Sequence, residues 1–96
     1  MSAIRLETAA PQLRRTMFQM LRLPSVLDAR GRGREAHYSD IREGLCTPPV
    51  LIGHKAVAWP SYEIEALNRA RIAGKSDEEI RALVAQLVDA RAKAAA

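Results

Sequence analysis

The tripeptide Gly31-Arg32-Gly33 constrains the fold more than any other feature of this chain, because two glycines around one arginine predict a tight turn. Helical sequence lies on both sides of this turn. On its N-terminal side, Pro24 suits the first position of a short helix, because its missing N–H would be unpaired there anyway. On its C-terminal side, residues 34–43 lack glycine and proline, and Gly44 follows where a left-handed cap belongs. We therefore expect a helix, a three-residue turn and a second helix.

The second helix is expected to pack with one face and to leave the other face free. The packing stripe consists of His37, Tyr38, Ile41 and Leu45. The free face consists of Arg34, Glu35, Ser39 and Arg42. Such a free and charged face suits the reading of another molecule.

A β-hairpin is predicted after the second helix. The apolar runs Val50–Ile52 and Ala56–Trp59 flank a glycine-bearing turn, which is typical of two short paired strands. His54 and Lys55 would lie at the tip of this hairpin, which is a candidate wing. A short edge strand within residues 17–23 is expected ahead of the first helix.

Two more helices are predicted in the C-terminal third. Pro60 is expected to open a third helix that ends at Gly74. Its apolar residues are Tyr62, Ile64, Ala66, Leu67, Ala70 and Ile72. Ser76 and Glu79 form a capping box for a fourth helix, whose end should fray after about Ala92. Its apolar stripe consists of Ile80, Leu83, Val84, Leu87 and Val88.

The length of 96 residues leaves room for one small domain with an appended element. We expect a flexible arm over residues 1–16, the domain over residues 17–74 and an amphipathic helix over residues 75–96. Because only 4% of the residues are aromatic, the core should be thin, and Leu83 and Leu87 are expected to pack between protomers. The open alternative is that the last helix folds back onto its own hairpin and third helix.

Basic charge is concentrated in residues 1–59, which hold nine basic and five acidic residues, whereas residues 60–96 hold six of each sign. Twelve of the fifteen basic residues are arginine, whose planar fork suits phosphates and guanine edges. This distribution favours a nucleic-acid face with a neutral back. The alternative is that a net charge of +4 is ordinary for a small protein.

Arg34 is the first candidate for reading DNA, because the start of a helix enters the major groove and arginine can donate two hydrogen bonds to guanine. The alternative is an exposed side chain paired with Glu35 or Asp40. Arg30 and Arg32 flank the turn and are expected to approach the phosphate backbone, or else to form a solvated charge run.

Further candidates lie on the same helix and on the hairpin. Ser39 and Arg42 would meet bases or phosphate, and Lys55 would meet phosphate or the minor groove with the help of His54. The full set of candidate DNA-binding residues is Arg30, Arg32, Arg34, Glu35, Ser39, Arg42, His54 and Lys55. The aromatic residues Tyr38 and Trp59 are expected in the core rather than as stacking platforms for bases.

The sequence contains no catalytic or metal-binding motif. Cys46 is the single cysteine, and with His37 and His54 it is too scattered to form a zinc cage. No stretch approaches the roughly 18 apolar residues that a membrane span needs. We expect a cytoplasmic protein that is not an enzyme and uses no cofactor, metal, membrane or small-molecule ligand.

The stretch from Leu21 to Gly74 resembles the AlpA-type phage regulators and excisionase-like proteins of the MerR-related winged-helix class. The resemblance rests on the segments LRLPSVL, REAHYSDIREGL, PPVLIG and AVAW. Its most specific parts are Tyr38 followed six residues later by Gly44, and the wing from Gly53 to Trp59. It implies a winged helix-turn-helix, which is a mainly α fold with a small β-hairpin, here with an additional C-terminal helix.

The resemblance also implies a function. It suggests a sequence-specific double-stranded DNA-binding protein of a mobile genetic element, located in the nucleoid of a bacterium. Such a protein acts as a transcription regulator, as an excision factor that directs an integrase, or as both, and dimers or cooperative arrays would form along repeated DNA sites. The alternative function is a winged protein-interaction module without base-specific reading, favoured by Arg32, Glu35 and the apolar fourth helix.

Overall fold

The computed structural model describes residues 17–94, so the predicted N-terminal arm, residues 1–16, lies outside the described residues. The elements are, in chain order, β1 (Met20–Leu21), α1 (Leu23–Arg30), α2 (Arg34–Arg42), β2 (Val50–Leu51), β3 (Val57–Pro60), α3 (Ser61–Ile72) and α4 (Asp77–Ala94). This part of the chain is mostly helical and carries a small antiparallel sheet, as the sequence predicts.

The three strands form a sheet with β3 in the centre, in the order β1-β3-β2. Leu21 of β1 lies opposite Trp59, and Val50 of β2 lies opposite Ala58. The predicted edge strand and the predicted hairpin are therefore both present. Because β3 is flanked on both sides, Ala58 and Trp59 are fully buried.

The turn between α1 and α2 has the predicted form. Gly31 adopts a φ of 66°, in the left-handed region where glycine is favoured, and the Arg32 N–H donates to the carbonyl of Leu27. Gly33 is the N-cap of α2. Pro24 occupies the second position of α1 rather than the first, because the helix already begins at Leu23.

Two hydrophobic clusters form the core. The first consists of Val26, Trp59 and Ile64. The second consists of Leu45, Cys46, Leu67, Ala70, Ile80 and Val84. Ile41 of α2 packs against both clusters, so the inner face of this helix connects the two halves of the core.

The last helix, α4, folds back onto its own domain. Leu83 and Leu87 are half-buried and pack against the second cluster, to which Ile80 and Val84 of the same helix belong. The structure thus places this face on its own chain, which is the alternative to packing between protomers. Self-association through Leu83 and Leu87 stays a prediction.

The capping box at the start of α4 is confirmed. The Ser76 N–H donates to Glu79 Oε1 at 2.9 Å, and the Glu79 N–H donates to Ser76 Oγ at 3.2 Å. Ile72, one of the apolar residues of the predicted third helix, is 86% exposed at the last turn of α3, beyond the packed face. Helix α4 is described as far as Ala94, close to the end predicted near Ala92.

Candidate nucleic-acid interface

The outer face of α2 carries the side chains predicted there. Arg34, Glu35 and Arg42 are exposed, and Ser39 is half-buried with its Oγ 3.4 Å from an oxygen of Glu43. Among residues 17–94, no carboxylate forms a salt bridge with Arg34 or Arg42. Both guanidinium groups therefore keep their donors for another molecule.

The guanidinium of Arg34 lies beside an aromatic ring, and no carboxylate within residues 17–94 pairs with it. Its guanidinium carbon lies 6.0 Å from the ring centroid of Tyr38, at the outer limit of a cation–π contact. Tyr38 itself is half-buried. The ring leaves the charge of Arg34 unneutralised.

The inner face of α2 carries buried polar side chains beside its apolar ones. The packing stripe predicted from the sequence, which consists of His37, Tyr38, Ile41 and Leu45, lacks one of these polar residues, Asp40. Asp40 is buried on this face, with a side chain that is 8% exposed. Arg30 at the end of α1 and Arg32 in the turn share its carboxylate. Arg32 donates through Nε at 3.0 Å and Nη2 at 2.9 Å, and Arg30 donates through Nη2 at 2.9 Å.

Arg30 does not take the position predicted for it. Its side chain is only 5% exposed, because it reaches inward to Asp40 and to His37, whose Nδ1 lies 2.8 Å from Arg30 Nη1. Arg30 therefore cannot act as an exposed phosphate contact. Arg32, in contrast, is 42% exposed, and its Nη1 has no hydrogen-bond partner among the described residues.

The charges of this network are fixed by its geometry. A guanidinium has only donors, so His37 Nδ1 accepts the hydrogen bond from Arg30 and the ring is neutral. Burial, together with the charge of Arg30, lowers the pKa of His37. Burial opposes the ionisation of Asp40, but hydrogen bonds from Arg32 and Arg30 hold its pKa below the ordinary value. One carboxylate shared by two arginines leaves one positive charge at the turn.

The inner face of α2 packs against the central strand of the sheet. The ring of His37 lies edge-on to Trp59, with centroids 5.0 Å apart. Trp59 is fully buried, as predicted, and its Nε1–H donates to the carbonyl of Thr47 at 2.8 Å. The inner face of α2 thus rests on the central strand, and the same tryptophan holds the segment that leads into β2.

The hairpin presents its tip to solvent. His54 and Lys55 are exposed, and the Ile52 N–H donates to the carbonyl of Ala56 at 2.8 Å, which closes the loop. Leu51 is 69% exposed and Ile52 is 46% exposed. No side-chain hydrogen bond or salt bridge joins the tip to the outer face of α2 within the described residues.

Three residues that the sequence did not single out as site residues organise this region: Asp40, Glu63 and Arg91. Glu63 is fully buried in the first turn of α3, and both of its oxygens accept hydrogen bonds from Arg91, at 2.7 and 2.8 Å. Asp40 follows His37 by three residues, and this spacing places both side chains on the same side of a helix, so the sequence could have indicated that Asp40 faces inward. No local signal links Glu63 to Arg91, 28 residues further along the chain.

The described residues contain no group of three or more histidine, cysteine or acidic side chains that could hold a metal ion. Cys46 is buried, and burial raises the pKa of its thiol. Among residues 17–94, no helix has the length and apolar character that crossing a membrane requires.

The chain is similar to a phage protein. No protein-family profile matches the chain, and no solved structure matches it. The uncharacterized protein ORF88 of Enterobacteria phage P4 is 40% identical over 60 residues, which span 62% of this chain and 68% of the phage protein. The similarity therefore covers most of the phage protein.

Proposed function

The chain belongs to the family of the uncharacterized protein ORF88 of Enterobacteria phage P4, and from this premise we propose that it is a double-stranded DNA-binding protein of a mobile genetic element. In this proposal α1, the turn and α2 form a winged helix-turn-helix whose wing is the β2–β3 hairpin. The protein regulates transcription, directs excision together with an integrase, or does both.

The two unlike faces of α2 carry the proposal. The outer face exposes Arg34 and Arg42 without carboxylate partners in the described part of the chain, while the inner face is tied down by Asp40 and His37. A helix that reads bases must be held within a narrow range of orientations, because its side chains have to meet donors and acceptors in fixed positions. The buried polar network supplies such a constraint from α1 and the turn.

The roles of the candidate residues follow from their exposure. Arg34 donates to a guanine edge in the major groove, and Glu35 beside it accepts from a cytosine amino group. Arg42 and Ser39 extend the contact along the helix. Arg32, oriented by Asp40, donates its free Nη1 to a phosphate.

The hairpin adds a contact at a second point of the duplex. Lys55 meets a phosphate or enters the minor groove, and His54 assists it. Arg30, in contrast, acts inside the protein by holding Asp40 and His37. The interface thus separates base reading on α2 from positioning by the turn and the hairpin.

A gel-shift competition tests this function. Labelled DNA from the promoter and attachment region of the element is bound by the full chain and competed with the same DNA or with random DNA. We expect the specific competitor to displace the protein at much lower concentration. Equal competition by both DNAs, or no shift at all, would overturn the proposal. Genes beside the coding sequence, above all an integrase, would separate an excision factor from a regulator.

A protein-interaction module is the second candidate. Leu51 on the hairpin and Ile72 at the end of α3 are large apolar side chains that are 69% and 86% exposed. Glu35 also places a negative charge at the start of α2, where a phosphate would be repelled. In the same gel shift, this candidate predicts no preference for the element's own DNA.

A further inference from the structure

The segment that enters the hairpin is held from two sides. Trp59 of β3 donates to the carbonyl of Thr47, and Arg91 near the end of α4 donates through Nη2 to the carbonyl of Pro48 at 2.7 Å. Val50, two residues later, begins β2. Two neighbouring carbonyls immediately ahead of the hairpin are therefore fixed by side chains from two different elements.

Arg91 is itself held by a buried carboxylate. Its Nε and Nη2 donate to the two oxygens of Glu63, whose side chain is 0% exposed, while the Arg91 side chain is 21% exposed. Glu63 lies in the first turn of α3, directly after β3. The guanidinium thus joins three parts of the chain: the end of α4, the start of α3 and the entry to β2.

A buried ion pair is a poor way to gain stability, because removing two charges from water costs about as much as their attraction returns. Apolar side chains of the same volume would hold α4 on the domain at least as well. What the planar fork adds is direction, since it donates to a carboxylate and a carbonyl in one fixed arrangement. This arrangement fixes the entry to the hairpin relative to both C-terminal helices.

We propose that Arg91 is a positioning residue for the DNA contact of the hairpin: by holding Glu63 and the carbonyl of Pro48, it sets the orientation in which Lys55 meets the duplex. This inference rests on the proposed function. It makes the last helix part of the DNA-binding unit rather than an appendage. Arg91 touches no DNA in this arrangement and acts only through the backbone of the hairpin entry.

The test uses variants that keep the interior neutral. Arg91→Met with Glu63→Gln removes the hydrogen bond to Pro48 without leaving an unpaired charge in the core. The matched control is Lys93→Met with Glu65→Gln, which removes the same two charges from exposed positions on the same two helices. Arg91→Lys keeps the charge, but lysine lacks the planar guanidinium that donates to Glu63 and to the carbonyl of Pro48 at the same time.

The first measurement needs no DNA. Trp59 is the only tryptophan, so its indole N–H gives a single nuclear magnetic resonance signal that reports on the bond to Thr47. We expect its hydrogen exchange to become faster in the Arg91→Met/Glu63→Gln variant, intermediate in Arg91→Lys and unchanged in the control. Equal exchange in all variants would show that Arg91 does not fix the hairpin entry.

The second measurement is a double-mutant cycle in DNA binding. Lys55→Ala and the Arg91→Met/Glu63→Gln variant should each weaken binding several-fold and reduce the salt slope by about 1, whereas their combination should be no weaker than either one. Additive effects would overturn the positioning role while the proposed function stands. If the parent protein does not bind DNA, the proposed function and the positioning role both fail, and the exchange data alone decide whether Arg91 orders the hairpin entry.

Discussion

Asp40 is shared by two arginines, and this sharing determines which of the cations near the turn stays exposed. Arg30 donates inside the protein, to Asp40 and His37, whereas the Arg32 side chain is 42% exposed and its Nη1 has no partner within residues 17–94. A side chain held by a buried carboxylate loses less conformational entropy when it meets a phosphate than a free one. Under the proposed function, Arg32 would be a preorganised phosphate contact, and Arg30 would help to hold the carboxylate that orients it.

Base reading and phosphate contact should separate in two single variants. Arg34→Ala removes the donors at the start of α2, so it should weaken specific binding by about 1–3 kcal/mol and relax the preference at one base pair. Lys55→Ala should weaken binding to all sequences alike. Fluorescence anisotropy with a set of single-base-pair substitutions measures both effects. An unchanged preference in Arg34→Ala would mean that the reading helix is misassigned.

The buried histidine makes stability depend on pH. Because burial and Arg30 lower the pKa of His37 below its ordinary value of 6.5, the unfolded chain binds a proton that the folded chain refuses. The free energy of unfolding should therefore fall as the pH falls below about 6.5. Urea unfolding at pH 7 and pH 5 measures this change. His37→Gln should flatten the dependence in this range, whereas His54→Gln, at an exposed position, should not.

At the level of single residues, exposure was predictable where it follows from helix periodicity, and burial of charge was not. Glu35 and Arg42 lie about a third of a turn around the helix from Ile41 and are exposed, as helix periodicity predicts. Arg34 lies seven residues before Ile41, on the same side of the helix, and is exposed at the first position of α2. Arg30 and Asp40, which are ten residues apart in the chain, are buried because each neutralises the charge of the other. Pattern analysis assigns such side chains to the surface, since an unpaired charge is almost never buried.

Backbone geometry at the helix ends was the most predictable element of the structure. Gly31 and Gly44 adopt positive φ values of 66° and 77°, as their positions after helical sequence indicate. Such signals are local, because they depend on the conformation of one residue and its hydrogen bonds within a turn. The hairpin was predictable for the same reason. The hydrogen bond from Arg91 to the hairpin entry was not, because it joins residues that are 43 positions apart in the chain.

The two glycines of the turn should respond differently to alanine. Gly31 has a φ of 66°, so Gly31→Ala should cost about 1–2 kcal/mol of unfolding free energy. Gly33 has a φ of −76° and no atom within 4 Å of an added Cβ, so Gly33→Ala should change stability by less than about 0.5 kcal/mol. Chemical denaturation of both variants makes the comparison. Equal losses would contradict the turn geometry.

At the scale of the whole molecule, α4 completes the core instead of standing apart from it. Ile80 and Val84 are buried in the second cluster, and Arg91 secures the far end of the helix on Glu63. The apolar stripe of this helix was predictable from its period, but its partner was not. The same stripe fits its own domain or a second copy equally well, and only the tertiary contacts distinguish the two.

Leu87 provides the test of this packing. Leu87→Asp places a charge against the second cluster, so it should lower the free energy of unfolding by about 2–3 kcal/mol and lower the thermal midpoint. Gln86→Asp, at an exposed neighbouring position, is the matched control and should leave the midpoint nearly unchanged. If α4 packs only on its own chain, sedimentation of the parent chain at micromolar concentration shows a monomer. A parent dimer that Leu87→Asp dissociates would instead support packing between protomers.

The salt dependence of specific binding tests the central proposal most directly. The dissociation constant for the element's own DNA is measured by fluorescence anisotropy over a series of salt concentrations. If Arg32, Arg42 and Lys55 are among about four to six cations that neutralise phosphates, log affinity against log salt should fall with a slope of about −4 to −5. A slope close to zero would contradict the proposal that this surface binds DNA.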